Sequence, residues 1–398
     1  MKYNFTSIID RRGRDSIAVD LMSGFGPESP KEGFDIIPMW VADMNFPTVP
    51  TIQEAIIERA KHPMFGYFQP SREYYDSIIK WHENRNGATD LKAVHIGYEN
   101  GVLGCVISAI NAFSAPGDCV LLHSPTYIGF TESLGNNGRK IIHSDLIQDE
   151  DGVWRMDYED MDAKLKKYKI HVAIFCSPHN PCGRVWEREE IEKTMEVYKE
   201  NDCVVISDEI WSDIILYNNK HIPTQSISED ARNRTVAVYA PSKTFNLAGL
   251  VGAYHIIYNK YLRVRAQGSK SHYNAVNVLS VHALIGAYKP EGYEWVDELC
   301  QVLAENIDYA CDHILKNYKG VKFFKPQGTY MVFLNCEQWC RKHNITLTEL
   351  YKAGTDVGVM WQDGSPFNSP YAIRLNLALP KLKIIEAFER LDKYVFRI

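Results

Sequence analysis

The chain has 398 residues, which exceeds the usual size of one hydrophobic core and favours two domains, or one large domain with a satellite. Hydrophobic residues make up 45% and charged residues 24% of it, close to the globular average, which excludes disordered, collagen-like and coiled-coil architectures. The net charge of −6 comes from 50 acidic and 44 basic residues without charge blocks, which excludes an electrostatic footprint for nucleic acid or an anionic membrane. Chemistry on a small molecule is the remaining expectation.

The sequence predicts a cytoplasmic protein. No apolar stretch reaches the roughly 18 residues that a membrane span needs, and the start of the chain lacks the apolar core of a signal peptide. The nine cysteines form no CxxC pair, which favours reduced thiols over a disulfide framework.

The first two thirds of the chain predict a parallel sheet with crossover helices. Residues 1–45 carry little periodicity, but they end in an apolar segment, 38–44, that can return to pack with the C-terminal part. From Thr51 to Gly286, helical stretches alternate with short apolar runs. The clearest predicted elements are a helix over 102–113 and strands over 118–122, 170–175, 203–206 and 235–239.

After Gly286 the pattern changes to that of an α+β unit. A long helix is predicted over 291–317, then isolated strands over 329–334 and 372–377, then an amphipathic helix from Lys381. The fold class is therefore α/β. The predicted organisation is a large domain over 48–288 with a mostly parallel sheet, and a smaller discontinuous α+β domain formed by 1–47 and 289–398.

One lysine, Lys243, follows a predicted strand in a segment of small residues with almost no other charge. A lone turn lysine is most often solvated. In an apolar setting, however, a lysine loses its proton more easily, as Schiff-base chemistry requires. The other motifs of the chain decide between these interpretations.

Asp208 and Glu209 end the apolar run that begins at Cys203, which predicts a carboxylate at the carboxyl edge of a buried strand. Ligands of α/β sheets bind at that edge. A carboxylate there can keep the ring nitrogen of pyridoxal phosphate (PLP) protonated, so that the ring acts as an electron sink. The alternative for Asp208 is a helix-capping role.

A turn is predicted over residues 177–184, where Asn180 can hydrogen-bond the phenolic oxygen of the cofactor. Cys176, His179 and Cys182 repeat at three-residue spacing and raise the alternative of a metal site. Two prolines in this stretch prevent a helix, and no fourth ligand pairs with the three side chains. We therefore expect no metal.

Two weaker signals lie upstream of this turn. Gly101 and Val102 open the predicted helix, whose free backbone N–H groups and dipole can bind a phosphate. Tyr127 follows the next predicted strand, where an aromatic ring can stack on a planar cofactor. Each signal alone is also consistent with a structural role.

Near the C-terminus, one arginine, Arg374, lies in an apolar predicted strand. A buried guanidinium needs an anionic partner, and its planar fork matches a carboxylate. The partner can be the carboxylate of a substrate or that of an internal salt bridge.

Taken together, these motifs resemble the fold-type I PLP enzymes of the aspartate aminotransferase superfamily, over nearly the whole chain. Within that superfamily the chain is similar to the MalY/PatB-type cystathionine β-lyases, or C-S lyases. The segments that carry the second resemblance are 38–44, 65–67, 178–181 and 328–330.

The resemblance implies a three-layer PLP-transferase large domain and a role for each motif. Lys243 binds the cofactor and acts as the catalytic base. Asp208, Asn180 and Tyr127 contact the ring nitrogen, the phenolic oxygen and the ring face. The substrate α-carboxylate is bound by Arg374, with Asn180 and the backbone near Ala42. The residues implied in phosphate binding are Gly101, Val102, Ser242 and, from the second subunit of a homodimer, Tyr67.

Three positions depart from the superfamily pattern. Ala240 stands where many aminotransferases have a serine, and Val251 where they have an arginine, so the phosphate has fewer ligands. The loss of that arginine is common in the lyase subgroup. Trp211 replaces the histidine of the lyases or the tyrosine of the aminotransferases, and its indole N–H donates but does not accept.

The implied activity is cleavage of the Cβ–S bond of cystathionine or another cysteine S-conjugate to a thiol, pyruvate and ammonia. An aminotransferase of an L-amino acid is the first alternative, because both reactions begin with removal of the Cα proton by the same lysine. A PLP-binding regulatory protein that acts through a partner is the second. The expected partners are an amino-acid substrate and a second copy of the chain.

Overall fold

A computed structural model of the chain describes residues 1–20, 26–270 and 275–397. The strands are β1 (Ile37–Pro38), β2 (Ile96–Glu99), β3 (Cys119–Ser124), β4 (Lys140–Asp145), β5 (Ile147–Gln148), β6 (Trp154–Arg155), β7 (Val172–Cys176), β8 (Val204–Asp208), β9 (Thr235–Tyr239), β10 (Ala253–Ile256), β11 (Lys322–Phe323), β12 (Met331–Asn335), β13 (Val359–Met360), β14 (Gln362–Asp363) and β15 (Ala372–Asn376). The helices are α1 (Pro50–Ala60), α2 (Arg72–Asn86), α3 (Gly101–Phe113), α4 (Ile128–Asn136), α5 (Tyr158–Tyr168), α6 (Arg188–Glu200), α7 (Glu229–Arg234), α8 (Pro241–Thr244), α9 (Lys260–Gly268), α10 (Val278–Ala287), α11 (Pro290–Asn317), α12 (Glu337–His343), α13 (Leu347–Asp356) and α14 (Lys381–Tyr394).

The central feature is a seven-stranded sheet in the order β2-β10-β9-β8-β7-β3-β4. Strands β9, β8, β7, β3 and β4 run parallel to one another, whereas β10 pairs antiparallel with both β2 and β9. All residues of β7 and β9 are buried, as expected for parallel strands covered by helices on both faces. The mostly parallel sheet and its α/β class are therefore confirmed.

The predicted apolar runs form strands, and polar residues lie at or just after their carboxyl ends. In register, Cys176 at the end of β7 lies beside Asp208 at the end of β8, which lies beside Val238 in β9. The polar segments that follow these strands therefore meet at one edge of the sheet. Crevices outside the carboxyl ends of parallel strands are the usual ligand sites of such folds.

The second sheet has four strands in the order β11-β12-β15-β14 and is antiparallel. The N-terminal segment packs with this part of the chain, because β1 pairs parallel with β13. This confirms the predicted return of the apolar segment 38–44 toward the C-terminal region. A backbone hydrogen bond also joins the two parts: Asn376 of β15 donates its N–H to the carbonyl oxygen of Met39 at 2.8 Å.

One hydrophobic cluster includes residues of both sheets, among them Val238 of β9 and Val332 of β12. A boundary at residues 48 and 288 therefore stays a prediction. Within the described ranges, no helix combines the length and the apolar character that crossing a membrane requires.

Candidate active site

A cavity of about 250 Å³ lies at the carboxyl edge of the parallel strands. Every predicted site residue except Tyr67 and Arg374 lines it. These residues are Ala42, Gly101, Val102, Tyr127, Asn180, Asp208, Ser242 and Lys243. They come from six separate segments of the chain, which the fold brings together.

Lys243 lies in the short helix α8, which follows β9 directly. Its Nζ donates a hydrogen bond to the carbonyl oxygen of Ala42 at 2.9 Å and lies 5.8 Å from the ring centroid of Trp211. Burial, and to a lesser extent the positive charge of Arg374, lower the pKa of Lys243 to about 8. A larger fraction of the amine is therefore neutral, and nucleophilic, near neutral pH than for an exposed lysine.

Asp208 is buried, and one carboxylate oxygen accepts a hydrogen bond from the backbone N–H of Ile210 at 3.1 Å. Burial raises its pKa to about 7, although that hydrogen bond and the charge of Lys243 oppose the shift. No lysine or arginine in the described part of the chain forms an ion pair with this carboxylate. Asp208 therefore has no cationic partner of this kind among the described residues, and a bound ligand can supply one.

Arg374 is buried in β15 beside the cavity. Its guanidinium donates to Asn180 Oδ1 at 3.3 Å and to the carbonyl oxygen of Trp40 at 3.0 Å, and it lies 4.7 Å from the ring centroid of Phe367. Burial lowers its pKa to about 10, and its Nε has no hydrogen-bond partner among the described residues. Among the described residues no carboxylate forms a salt bridge with Arg374, so the alternative of an internal salt bridge is not observed. The Arg374 guanidinium, like the Asp208 carboxylate, lacks a partner of opposite charge there.

The 13-residue helix α3 begins at the cavity with Gly101, whose φ of +75° suits glycine. The Asn100 side chain does not cap this helix, so its first backbone N–H groups have no side-chain acceptor from that position. Ser242 and the exposed Val251 also line the cavity, and a Cβ atom at Gly101 would lie 3.5 Å from the Val251 side chain. This end of the site is suited to a phosphate.

Two aromatic side chains form cavity walls. Tyr127 precedes α4, and a Cβ atom at Gly129 would lie 2.5 Å from its ring, so glycine at that position leaves room for the ring. Trp211 is buried and packs edge-on against Tyr330, with 4.8 Å between ring centroids. Both positions place flat apolar surface along the cavity.

The segment 40–44 is held by side chains that the motif reasoning did not assign. Asn376 donates to the carbonyl oxygens of Val41 and Asp43 at 2.7 and 2.6 Å. Asn246 both donates to and accepts from the backbone of Met44, at 2.8 and 2.9 Å. In the sequence, Asn246 is three residues after Lys243 and Asn376 is two residues after Arg374. This closeness along the chain is the signal that could have identified both asparagines as site residues.

Tyr67 does not join the cavity. Its side chain is fully exposed, at 103% relative accessibility, beside the exposed Met64 and Phe65. The Tyr67 side chain can therefore contribute to a binding site only if that site belongs to another molecule that contacts it.

The cavity fits PLP on three independent observations. Asp208 lacks the cation that a protonated ring nitrogen provides, the first turn of α3 offers N–H groups for a phosphate, and Lys243 lines the same cavity. Arg374 lacks the anion that an amino-acid carboxylate provides. The donor set is therefore that of a PLP site with a place for a carboxylate substrate.

Comparison with known proteins agrees with this geometry. Cystathionine beta-lyase PatB of Bacillus subtilis (strain 168) is 37% identical over 303 residues, covering 76% of this chain and 78% of PatB. Cystalysin of Treponema denticola, solved with a pyridoxal 5'-phosphate cofactor, superposes with a TM-score of 0.90 at 30% identity, covering 99% and 98% of the two chains. The PLP-bound C-S lyase of Staphylococcus hominis also gives 0.90, at 29% identity over 100% and 99%. Residues 35–391 match the family model "Aminotransferase class I and II", and the chain therefore belongs to that family.

Proposed function

We propose that this protein is a PLP-dependent carbon–sulfur β-lyase, which cleaves the Cβ–S bond of cystathionine or a related cysteine S-conjugate. The products are a thiol, pyruvate and ammonia. The observation that carries the proposal is one cavity lined by a lysine amine of lowered pKa and a carboxylate without a cation, with an arginine that lacks an anion bonded to the lining residue Asn180. The similarity to a cystathionine beta-lyase and to a C-S lyase supports the choice of a sulfur leaving group.

The proposed cofactor contacts are those that the family resemblance implies, and they are supported by the fact that all of these residues line one cavity. Lys243 holds the cofactor covalently, and Asp208 pairs with its ring nitrogen. Asn180 bonds the phenolic oxygen, and Tyr127 covers one face of the ring. The phosphate is bound by Ser242 and by the backbone of Gly101 and Val102.

The chemistry of this chain's own residues begins with substrate orientation. Arg374, together with Asn180 and the backbone near Ala42, binds the α-carboxylate, which directs the Cα–H bond toward Lys243. When bound, PLP supplies the electron sink for the electrons released at Cα. The neutral Lys243 amine takes the Cα proton as general base, and the resulting ammonium can give a proton to the departing sulfur. One water is consumed when the released enamine hydrolyses to pyruvate and ammonia.

The first prediction separates this reaction from transamination. With cystathionine and no keto acid, the holoenzyme should release thiol and pyruvate in a one-to-one ratio over many turnovers. Both products should be quantified in the same sample, pyruvate enzymatically and the thiol by a chromogenic disulfide. One turnover followed by arrest until a keto acid is added would contradict the lyase and identify an aminotransferase.

We further propose that the site is completed by a second copy of the chain. The exposed segment 64–67 presents Met64, Phe65 and Tyr67, an apolar surface that a monomer would leave in water. The exposed Val251 lines the phosphate end of the cavity, so that end is open to a partner. In the proposed homodimer, the partner subunit's Tyr67 donates its hydroxyl to the phosphate.

The second prediction tests this sharing by mixing two variants, Lys243→Ala and Tyr67→Phe, at a limiting cofactor concentration. A hybrid dimer contains one site with both native residues only if Tyr67 acts across the interface. Random exchange should therefore restore about a quarter of the wild-type sites. Activity equal to the mean of the two separate variants would show that Tyr67 does not contribute to the other subunit's site.

The proposed compartment is the cytoplasm. All nine cysteines are free thiols. Reduced thiols are the usual state of cysteine in that compartment.

A further inference from the structure

The carbonyl oxygen of Ala42 accepts two hydrogen bonds inside the cavity wall. Lys243 Nζ donates at 2.9 Å and the hydroxyl of Tyr330 donates at 3.0 Å. A peptide oxygen has two lone pairs, so these two donors use both of its acceptor positions.

The position of this carbonyl group is set by its neighbours in the chain. The carbonyl of Trp40 is held by Arg374, and the carbonyls of Val41 and Asp43 are held by Asn376. With the peptides on both sides held, Ala42 has little freedom to follow the lysine when its amine moves.

Tyr330 is equally constrained. It is fully buried, its ring packs edge-on against Trp211, and its backbone oxygen accepts from the N–H of Leu377 at 2.9 Å. Burial raises the pKa of Tyr330 well above its usual value, so the hydroxyl keeps its proton and remains a donor. One lone pair of the Ala42 oxygen is therefore occupied at every working pH.

We propose that Tyr330 is a positioning residue for Lys243: its hydroxyl leaves the amine a single direction of approach to the Ala42 carbonyl and weakens the hydrogen bond that holds it there. Two donors on one acceptor weaken each other, so the amine detaches more easily and is less favoured as an ammonium. The inference rests on the proposed function in naming Lys243 as the base. Its main test does not require lyase activity.

The charged groups that act on Lys243 are Arg374, which lowers its pKa, and Asp43 and Asp208, which raise it. None of them is altered when Tyr330 is replaced with phenylalanine, which also keeps the ring and its contact with Trp211. A change in Lys243 basicity in Tyr330→Phe can therefore be assigned to the hydroxyl.

The experiment measures Lys243 in the full chain after the cofactor has been removed with hydroxylamine. Pulses of formaldehyde and cyanoborohydride across pH 6–10, followed by peptide mass spectrometry, give the pH at which dimethylation of Lys243 is half-maximal. We expect a midpoint near 8 for wild type, as its pKa implies, and an upward shift of about 0.5 pH unit in Tyr330→Phe. The sign is upward because the freed oxygen binds the ammonium more strongly.

Tyr318→Phe is the matched control, because it removes the hydroxyl of another buried tyrosine, which donates to Asp392 at 2.8 Å. It should leave the Lys243 midpoint unchanged. If Tyr330→Phe does not fold, 3-fluorotyrosine at position 330 keeps the side chain and makes the hydroxyl a stronger donor, so the midpoint should move downward. An unchanged midpoint in a folded Tyr330 variant would overturn the inference, even for an active lyase.

In the holoenzyme, Tyr330→Phe should lower kcat about tenfold with little change in KM, because the base, and not the carboxylate contact, is affected. The isotope effect with α-deuterated substrate should rise as proton removal becomes slower. A change confined to KM would contradict the positioning role. A shifted midpoint in a chain that lacks lyase activity altogether would support the inference while refuting the proposed function.

Discussion

Replacing Lys243 with alanine should lower kcat by about 10³-fold or more, because the variant would lose both the proposed covalent attachment of the cofactor and the proposed general base. The cavity should survive, since among the described residues Nζ bonds only the Ala42 carbonyl, and alanine fits the short helix α8. Cofactor that remains bound should do so only through noncovalent contacts. Borohydride reduction of the wild-type holoenzyme should give a stable adduct on Lys243, detected by mass spectrometry, and none in the variant.

Lys381→Ala is the matched control for this result. Like Lys243, Lys381 donates its Nζ to a backbone carbonyl, that of Glu305 at 2.7 Å, but it does not line the cavity. Its loss should leave both the adduct and kcat unchanged. An adduct found on another lysine, or a covalent cofactor signal that persists in Lys243→Ala, would refute the assignment of Lys243.

Replacing Arg374 with lysine should lower kcat/KM by about 10²-fold, or roughly 3 kcal/mol, while cofactor binding persists. Lysine keeps the charge but loses the planar fork that donates to Asn180 and Trp40 in this structure and that matches a carboxylate bidentately. An amine substrate without the α-carboxylate should be poor for wild type and nearly indifferent to the mutation. The comparison of both substrates in both enzymes, as a two-by-two cycle, measures the coupling.

Arg139→Lys provides the control for the general effect of altering a buried guanidinium. Arg139 is buried and donates to backbone carbonyls, including that of Ser114 at 2.7 Å, away from the cavity. If Arg374→Lys instead unfolds the protein or expels the cofactor while the dependence on the carboxylate is unchanged, Arg374 has a structural role. The anchor of the substrate would then lie elsewhere.

The large parallel sheet could be predicted because its strands are short apolar runs that end in polar residues. The run ending at Asp208 and the strand over 235–239 before Lys243 occur in the structure within a few residues of their predicted bounds. Carboxyl ends of parallel strands share one edge, so the meeting of Asp208, Asn180 and Lys243 follows from local patterns and one topological rule. The division into two domains at residues 48 and 288 stays a prediction.

Local pattern did not predict the contacts around Ala42. Tyr330 lies 288 residues from Ala42 and Asn376 lies 335 residues from Val41, and each bond exists only because the N-terminal segment returns to pack against the second sheet. A buried tyrosine or asparagine can satisfy its polar atoms with many partners, and the sequence contains no periodic signal that selects one.

The sequence alone therefore determined which chemical groups are available and which strand ends carry them, because strand and helix periodicities and turn residues are local properties. Only the tertiary structure decided the electrostatic state of those groups. The pKa of Lys243 is lowered and that of Asp208 is raised because packing removes water from both, and Arg374 lies close enough to act on the lysine. Burial and distance between remote segments are properties of the packed chain.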